Sequence, residues 1–138
     1  MTKLYIDENI KYLFEPRSLA VIGASRDKSK IGHAVLQNVI NGGYAGKVYP
    51  VNPGGGQIEG RQVYRSILDI EDTVDTACIT LPADRVYDAV RSCAEKKVKN
   101  AILISSGFSE AGNIKEEKKI VNYARSQGMR ILGPNVFG

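Results

Sequence analysis

Short apolar runs alternate along the chain with longer segments whose apolar residues recur every three or four positions. The short runs fall at Leu19–Ile22, Val48–Val51, Ala77–Leu81, Ala101–Ile104 and Arg130–Leu132. Runs of this length suit strands buried on both faces, as in a parallel sheet. Between them lie three helical stripes. Ile31, Ala34, Val35 and Val39 form the first, and Val86, Ala89, Val90, Cys93 and Ala94 the second. The third, Ile120, Val121 and Ala124, follows Asn113-x-x-Glu116, a spacing that lets two side chains cap a helix start reciprocally. Gly42-Gly43 and Gly128 stand where helix ends favour glycine. Glu8–Phe14 suggests one more helix, stopped by Pro16, so residues 1–16 read as an N-terminal extension.

Strand–helix alternation with right-handed crossovers predicts an α/β fold: a Rossmann-like, doubly wound, mostly parallel sheet with helices on both faces. A length of 138 residues suits one core, so residues 1–138 are read as a single domain. The least regular link is Asn52–Arg61 with its Gly54-Gly55-Gly56 run, and a mobile loop is expected there.

The residues after the strands are small or turn-forming. They read Gly23-Ala24-Ser25, Asn52-Pro53, Pro82-Ala83-Asp84, Ser105-Ser106-Gly107 and Gly133-Pro134-Asn135. In an open parallel sheet, ligands bind outside these carboxyl ends. Five such turns on one edge favour a ligand site over simple turn chemistry. The first turn runs through Arg26, Lys28 and Lys30 to a helix starting near Ile31-Gly32. A strand, a glycine turn and a helix start together aim amides and a positive helix end at an anion.

Charge narrows the partner. Lys and Arg total 19 against 15 Asp and Glu, a net +4. That suits a phosphate-bearing small molecule and is too scattered for nucleic acid. The dinucleotide fingerprint is missing, because Ser25 and Lys28 stand where its second and third glycines belong. The second strand ends on Asn52 rather than the acid that holds an NAD ribose. The chain has no phosphate-binding loop of the ATP type. A phosphorylated nucleotide other than NAD or ATP remains.

Taken together, Phe14-Glu15-Pro16-Arg17-Ser18-Leu19-Ala20-Val21-Ile22-Gly23-Ala24-Ser25, Lys30-Ile31-Gly32, Val48-Tyr49-Pro50-Val51-Asn52-Pro53, Ser105-Ser106-Gly107-Phe108-Ser109-Glu110 and Ile131-Leu132-Gly133-Pro134-Asn135 resemble the N-terminal CoA-binding domain of ADP-forming acetyl-CoA synthetases (acetate–CoA ligases). Succinyl-CoA synthetase alpha subunits are similar more distantly. The resemblance covers the chain from about Leu13 to Gly138. It implies coenzyme A along the strand carboxyl edge. Ser25 and Arg26 would meet its phosphates, with Lys30 and Gly32 at the helix start. Asn52 and Pro53 would meet the adenosine end, and Leu81, Pro82 and Ala83 would wall the nucleotide or pantetheine. Ser105, Ser106, Gly107 and Asn135 would face the thiol end. Gly54 and Val136 depart from the family, which often has a basic residue and a cysteine at those places.

The family makes ATP through an acyl phosphate and a phosphohistidine carried in a following domain. The expected partners are therefore further ligase domains or subunits holding that histidine and the ADP site, with neither nucleic acid nor membrane among them. The chain is read as the first domain of a longer ligase. A stand-alone, non-catalytic CoA-binding or CoA-sensing protein is the alternative, and an NAD(P)-binding oxidoreductase domain a weaker one. His33, the single histidine, is expected on a helix face near the phosphates rather than as the phosphoryl carrier. No nucleophile–base set appears in the sequence. Cys78 and Cys93 sit in apolar segments and read as core. Tyr44, Tyr49 and Tyr64 read as packing residues with an option of flanking a base. No apolar run nears the roughly 20 residues of a membrane span. Two unpaired cysteines fit a reducing cytoplasm.

Overall fold

The computed structural model describes residues 16–104 and 114–133. Five strands form one wholly parallel sheet: β1 (Ser18–Ile22), β2 (Lys47–Val51), β5 (Thr76–Ile79), β6 (Asn100–Leu103) and β7 (Arg130–Leu132). Their order across the sheet is β2-β1-β5-β6-β7. From β1 the chain steps to β2 on one side, then crosses back to β5 on the other. That reversal opens a crevice above the carboxyl end of β1.

Period-two alternation along the strands splits the core in two. Leu19, Val21 and Cys78 pack with Leu36 of α1 (Ile31–Asn41) on one face. Ala20, Ile22, Ala77 and Ile79 face the other way, against α2 (Ala83–Glu95), α3 (Ile114–Ser126) and a 3-10 turn at Ile67–Asp69. Each large apolar side chain fully buried this way contributes on the order of 1.5–3 kcal/mol. The helices therefore cover both faces, as the alternation predicts.

The strand bounds shift slightly from expectation. The run Ala77–Leu81 is a strand only over Thr76–Ile79, and Ala101–Ile104 becomes Asn100–Leu103. Thr80 already turns inward, bonding Ile22 O through both its amide and its hydroxyl, each at 2.8 Å. The first helical stripe needs a larger correction. Val35 and Val39 pack half-buried against the core as expected, but Ile31 is 51% exposed and Ala34 is exposed, while Gly32, His33 and Leu36 face inward. Contact between Gly32 and the end of β1 sets the rotation of α1, and apolar spacing does not reveal that contact. Val86, Ala89, Val90 and Cys93 of the second stripe, and Ile120 and Ala124 of the third, are buried as expected.

The Asn52–Arg61 link holds a small antiparallel hairpin, β3 (Gln57–Ile58) and β4 (Arg61–Gln62). Glu59 and Gly60 turn it with φ of 52° and 73°, the left-handed pair a tight hairpin requires. Ile58 and the following Val63 are buried beside Leu36. Asn52 N donates to Tyr64 O at 2.8 Å and Tyr64 N to Pro50 O at 2.9 Å, so the excursion is pinned at its base. At the opposite edge of the sheet, Asp75 accepts three bonds from Arg17, at 2.8–3.0 Å, fixing the entry into β1.

Candidate functional site

Two glycines and a threonine bring the end of β1 and the start of α1 into contact. A Cβ on Gly32 would lie 1.9 Å from Gly23 O and 2.9 Å from Thr80 Oγ1. A Cβ on Gly23 would lie 2.5 Å from Thr80 Oγ1, and Gly23 has φ 94°. Only glycine tolerates both the conformation and the approach. Gly23 N and Ala24 N both donate to Val51 O, at 3.0 and 3.2 Å. These amides close the seam to β2. The amides of Ser25, Arg26, Lys28, Ile31 and Gly32 find no protein acceptor among the described residues. They form the anion-suited part of the turn, together with the positive end of α1.

The loop is braced from within. Asp27 accepts from the amide and hydroxyl of Ser29, at 2.9 and 2.7 Å, and these bonds hold its pKa below the ordinary value. Ser25 Oγ accepts from Asp27 N at 3.0 Å, and His33 Nδ1 bonds Ser25 O at 2.8 Å. His33 is buried on α1 and fixes the loop from below, which matches the helix-face position read from the sequence. Lys28 and Lys30 are exposed. Arg26 reaches across to the hairpin, its Nε to Gln57 O at 2.8 Å and its Nη2 to Gly55 O at 2.7 Å.

Asn52 joins two turns. Its Nδ2 donates to Ala24 O and its Oδ1 accepts from Gly54 N, both at 2.8 Å. The side chain that the sequence offers to a ribose therefore already has a partner at each polar atom. Pro82 is the residue before α2 and Ala83 opens it. Ser105, Ser106, Gly107, Asn135 and Val136 lie outside the described residues, as do the Asn113 cap and the Glu8–Phe14 segment.

A cleft of about 250 Å³ opens over the ends of β1, β2 and β5. Ile22, Val51, Pro53, Ile67, Leu81 and Ala89 give it apolar walls. Gly23, Pro53 and Leu81 are therefore brought together as the sequence suggests. Arg65 and Arg85 stand in the same lining, and sequence reading missed both. Arg65 reaches the β2 end only because Tyr64 bridges to Val51 after the hairpin. No spacing rule announces that return. Two larger hollows, of about 340 and 450 Å³, lie against α3 and the start of β7 and between α2 and α3, away from the carboxyl ends of β1, β2 and β5.

The remaining candidates are structural. Cys78 and Cys93 are buried free thiols, pushed by burial up to about 11 and about 12. Tyr49 and Tyr64 pack edge to face at 5.7 Å, and Tyr44 donates to Pro16 O at 2.6 Å. Among the described residues, no cluster of His, Cys, Asp or Glu suits a metal, and no helix is long and apolar enough to cross a membrane.

An apolar cleft beside a cationic, amide-lined turn fits a nucleotide bearing phosphates. Comparison with known proteins agrees. The family model described as a CoA binding domain matches residues 17–138. The alpha subunit of ADP-forming acetate–CoA ligase I from Pyrococcus furiosus is 51% identical over 136 residues, covering 94% of this chain and 29% of that protein. ADP-forming acetate–CoA ligase from Methanocaldococcus jannaschii is 42% identical over 132 residues, covering 96% of this chain and 18% of its own length. A dinucleotide-forming acetyl-coenzyme A synthetase 1 of Ca. Korarchaeum cryptofilum, solved with phosphate and ADP, superposes with a TM-score of 0.90 at 45% identity, over 94% of this chain and 28% of that one. The chain thus spans less than a third of these relatives. With its parallel sheet, its glycine-packed first turn and a family match over nearly its whole length, the chain belongs to the CoA-binding domain family found in ADP-forming acetyl-CoA synthetases.

Proposed function

We propose that the chain holds coenzyme A for an ADP-forming acyl-CoA ligase and takes no part in phosphoryl transfer itself. The observation that carries this is the Gly23–Gly32 contact, which sets the free amides of α1 and the Arg26–Lys30 loop beside the apolar cleft. The amides of Ser25, Arg26, Ile31 and Gly32, with Lys28 and Lys30, bind the diphosphate. Ile22, Val51, Pro53, Ile67 and Leu81 pack against the adenine. Bound coenzyme A supplies a thiol. The chain's own contribution is to orient that thiol toward an acyl phosphate formed elsewhere, which is catalysis by positioning. Further ligase domains or a second subunit, in a cytoplasmic enzyme, carry the phosphohistidine and the ADP site.

Calorimetric titration of the chain with coenzyme A, dephospho-CoA, NAD and ATP tests the reading. Coenzyme A binds more tightly than NAD, because the ribose acid and the second glycine of an NAD site are absent. Equal or tighter NAD binding overturns it. Incubation with acetyl-CoA, ADP and labelled phosphate yields neither ATP nor phosphohistidine at His33, whose Nδ1 is engaged with Ser25 O. Labelled His33 would move the active site into this domain.

A further inference from the structure

We propose that Arg65 and Arg85 form a second anion site, separate from the Arg26–Lys30 loop, that reads the 3′-phosphate on the ribose of coenzyme A. The inference rests on the proposed function and assigns a role to two residues that the family motifs leave out. Both arginines line the cleft over β1, β2 and β5, among otherwise mostly apolar walls. Arg65 Nη1 donates to Pro53 O at 3.2 Å, which holds its guanidinium against the turn after β2. Gly55 makes room for it: a Cβ there would lie 3.2 Å from Arg65 Nε. Arg85 sits in the first turn of α2, where the positive helix end adds to its charge.

The charges of this pair are unspent. Among the described residues the salt bridges are Arg17–Asp75 and Lys47–Asp72, and neither involves Arg65 or Arg85. Asp88 shares the cleft lining one helical turn beyond Arg85, so the lining carries two guanidiniums and one carboxylate. The loop after β1 already offers free amides, Lys28 and Lys30 for a diphosphate. A ligand with one phosphate centre would leave the cleft arginines idle. Coenzyme A has two, because its ribose carries a phosphomonoester apart from the diphosphate. A planar guanidinium matches such a dianion with paired hydrogen bonds.

Titration of the chain and of Arg65→Ala/Arg85→Ala with coenzyme A and dephospho-CoA tests the assignment. The chain prefers coenzyme A by about tenfold or more, the value of one well-formed charge-assisted contact. The double variant loses that preference through weaker coenzyme A binding, while its dephospho-CoA affinity stays within about twofold. Both residues are exposed, and an unchanged thermal midpoint shows that folding is intact. Arg65→Lys/Arg85→Lys restores part of the preference. A double-alanine variant that still discriminates by the wild-type factor overturns the assignment and leaves the proposed function standing. If the wild-type chain binds neither ligand, the proposed function fails and this assignment falls with it.

Discussion

Gly32→Ala sets two effects of opposite sign against each other. Glycine costs a helix about 1 kcal/mol relative to alanine, so propensity alone makes this substitution stabilising. The contact with β1 reverses the sign. The new Cβ would lie 1.9 Å from Gly23 O and 2.7 Å from Gly23 C, both backbone atoms that no rotamer change can move. Relief requires the start of α1 to withdraw by about 1.5 Å, the gap between 1.9 Å and an ordinary 3.4 Å contact. Overpacking of this kind costs about 1–3 kcal/mol, and here the displaced element is a helix end with Leu36 packed one turn on. The net expectation is a loss of up to about 2 kcal/mol, or up to roughly 10 °C in Tm for a domain of this size. Circular dichroism melting reads the stability, and calorimetry with coenzyme A reads the site. Affinity falls with stability, because the amides of Ile31 and Gly32 move with the helix. Asn38→Ala, at an exposed position on the same helix, serves as the propensity control and stabilises slightly. If Gly32→Ala raises Tm like the control and leaves affinity unchanged, the close approach does not govern the site.

Asp75→Asn destabilises the domain by about 2 kcal/mol in urea unfolding, because a buried carboxylate that accepts three Arg17 donors loses its charge. Burial favours the protonated form of Asp75, but hydrogen bonds and charge from Arg17 outweigh it and leave its pKa below the ordinary value. Its stabilisation is therefore complete above the unfolded carboxylate pKa of about 3.9 and disappears as pH falls through the lower folded value. The variant shows a shallower acid limb, and identical limbs would refute the assignment. Cys78 and Cys93, with thiols at about 11 and about 12, resist an aromatic disulfide reagent at pH 8 until the chain is unfolded, and prompt labelling of the native protein would contradict their burial. Arg26→Ala with Lys28→Ala weakens coenzyme A binding and flattens its salt dependence, and wild-type affinity together with a wild-type slope would reduce both residues to a solvated run.

The central strands β1 and β5 were legible because each is buried on both faces, which leaves an unbroken apolar run, whereas the edge strand β7, with Arg130 and Leu132 exposed, shows only a short one. The second helix was legible because Val86, Ala89, Val90 and Cys93 face one core layer. The first was read only in part: Val35 and Val39 pack against the core, but the inward side of α1 begins at a glycine, and glycine carries no hydropathy signal. The turns after β1, β2 and β5, marked in the sequence by their small residues, line one cleft. The use of Asn52 was not legible, since a side chain that joins two backbones has the same composition as one that awaits a ribose. Arg65 and Arg85 escaped for a topological reason. That both line one cleft depends on a hairpin whose return beside β2 is fixed by backbone bonds at Tyr64, and periodicity does not record such bonds.

That hairpin leaves and rejoins the sheet at a single pinned point, with Asn52 and Tyr64 bonded to each other. Everything from Pro53 to Val63 is thus a closed cassette whose length is uncoupled from the sheet. Doubling such a loop costs only about 0.6 kcal/mol in closure entropy. Its internal requirements are few: Ile58 and Val63 inserted beside Leu36, and carbonyls at Gly55 and Gln57 for the Arg26 clasp. The rim of the cleft over β1, β2 and β5 is therefore an exchangeable part. Transplanting the segment between members of the family would exchange that rim and leave the parallel scaffold untouched.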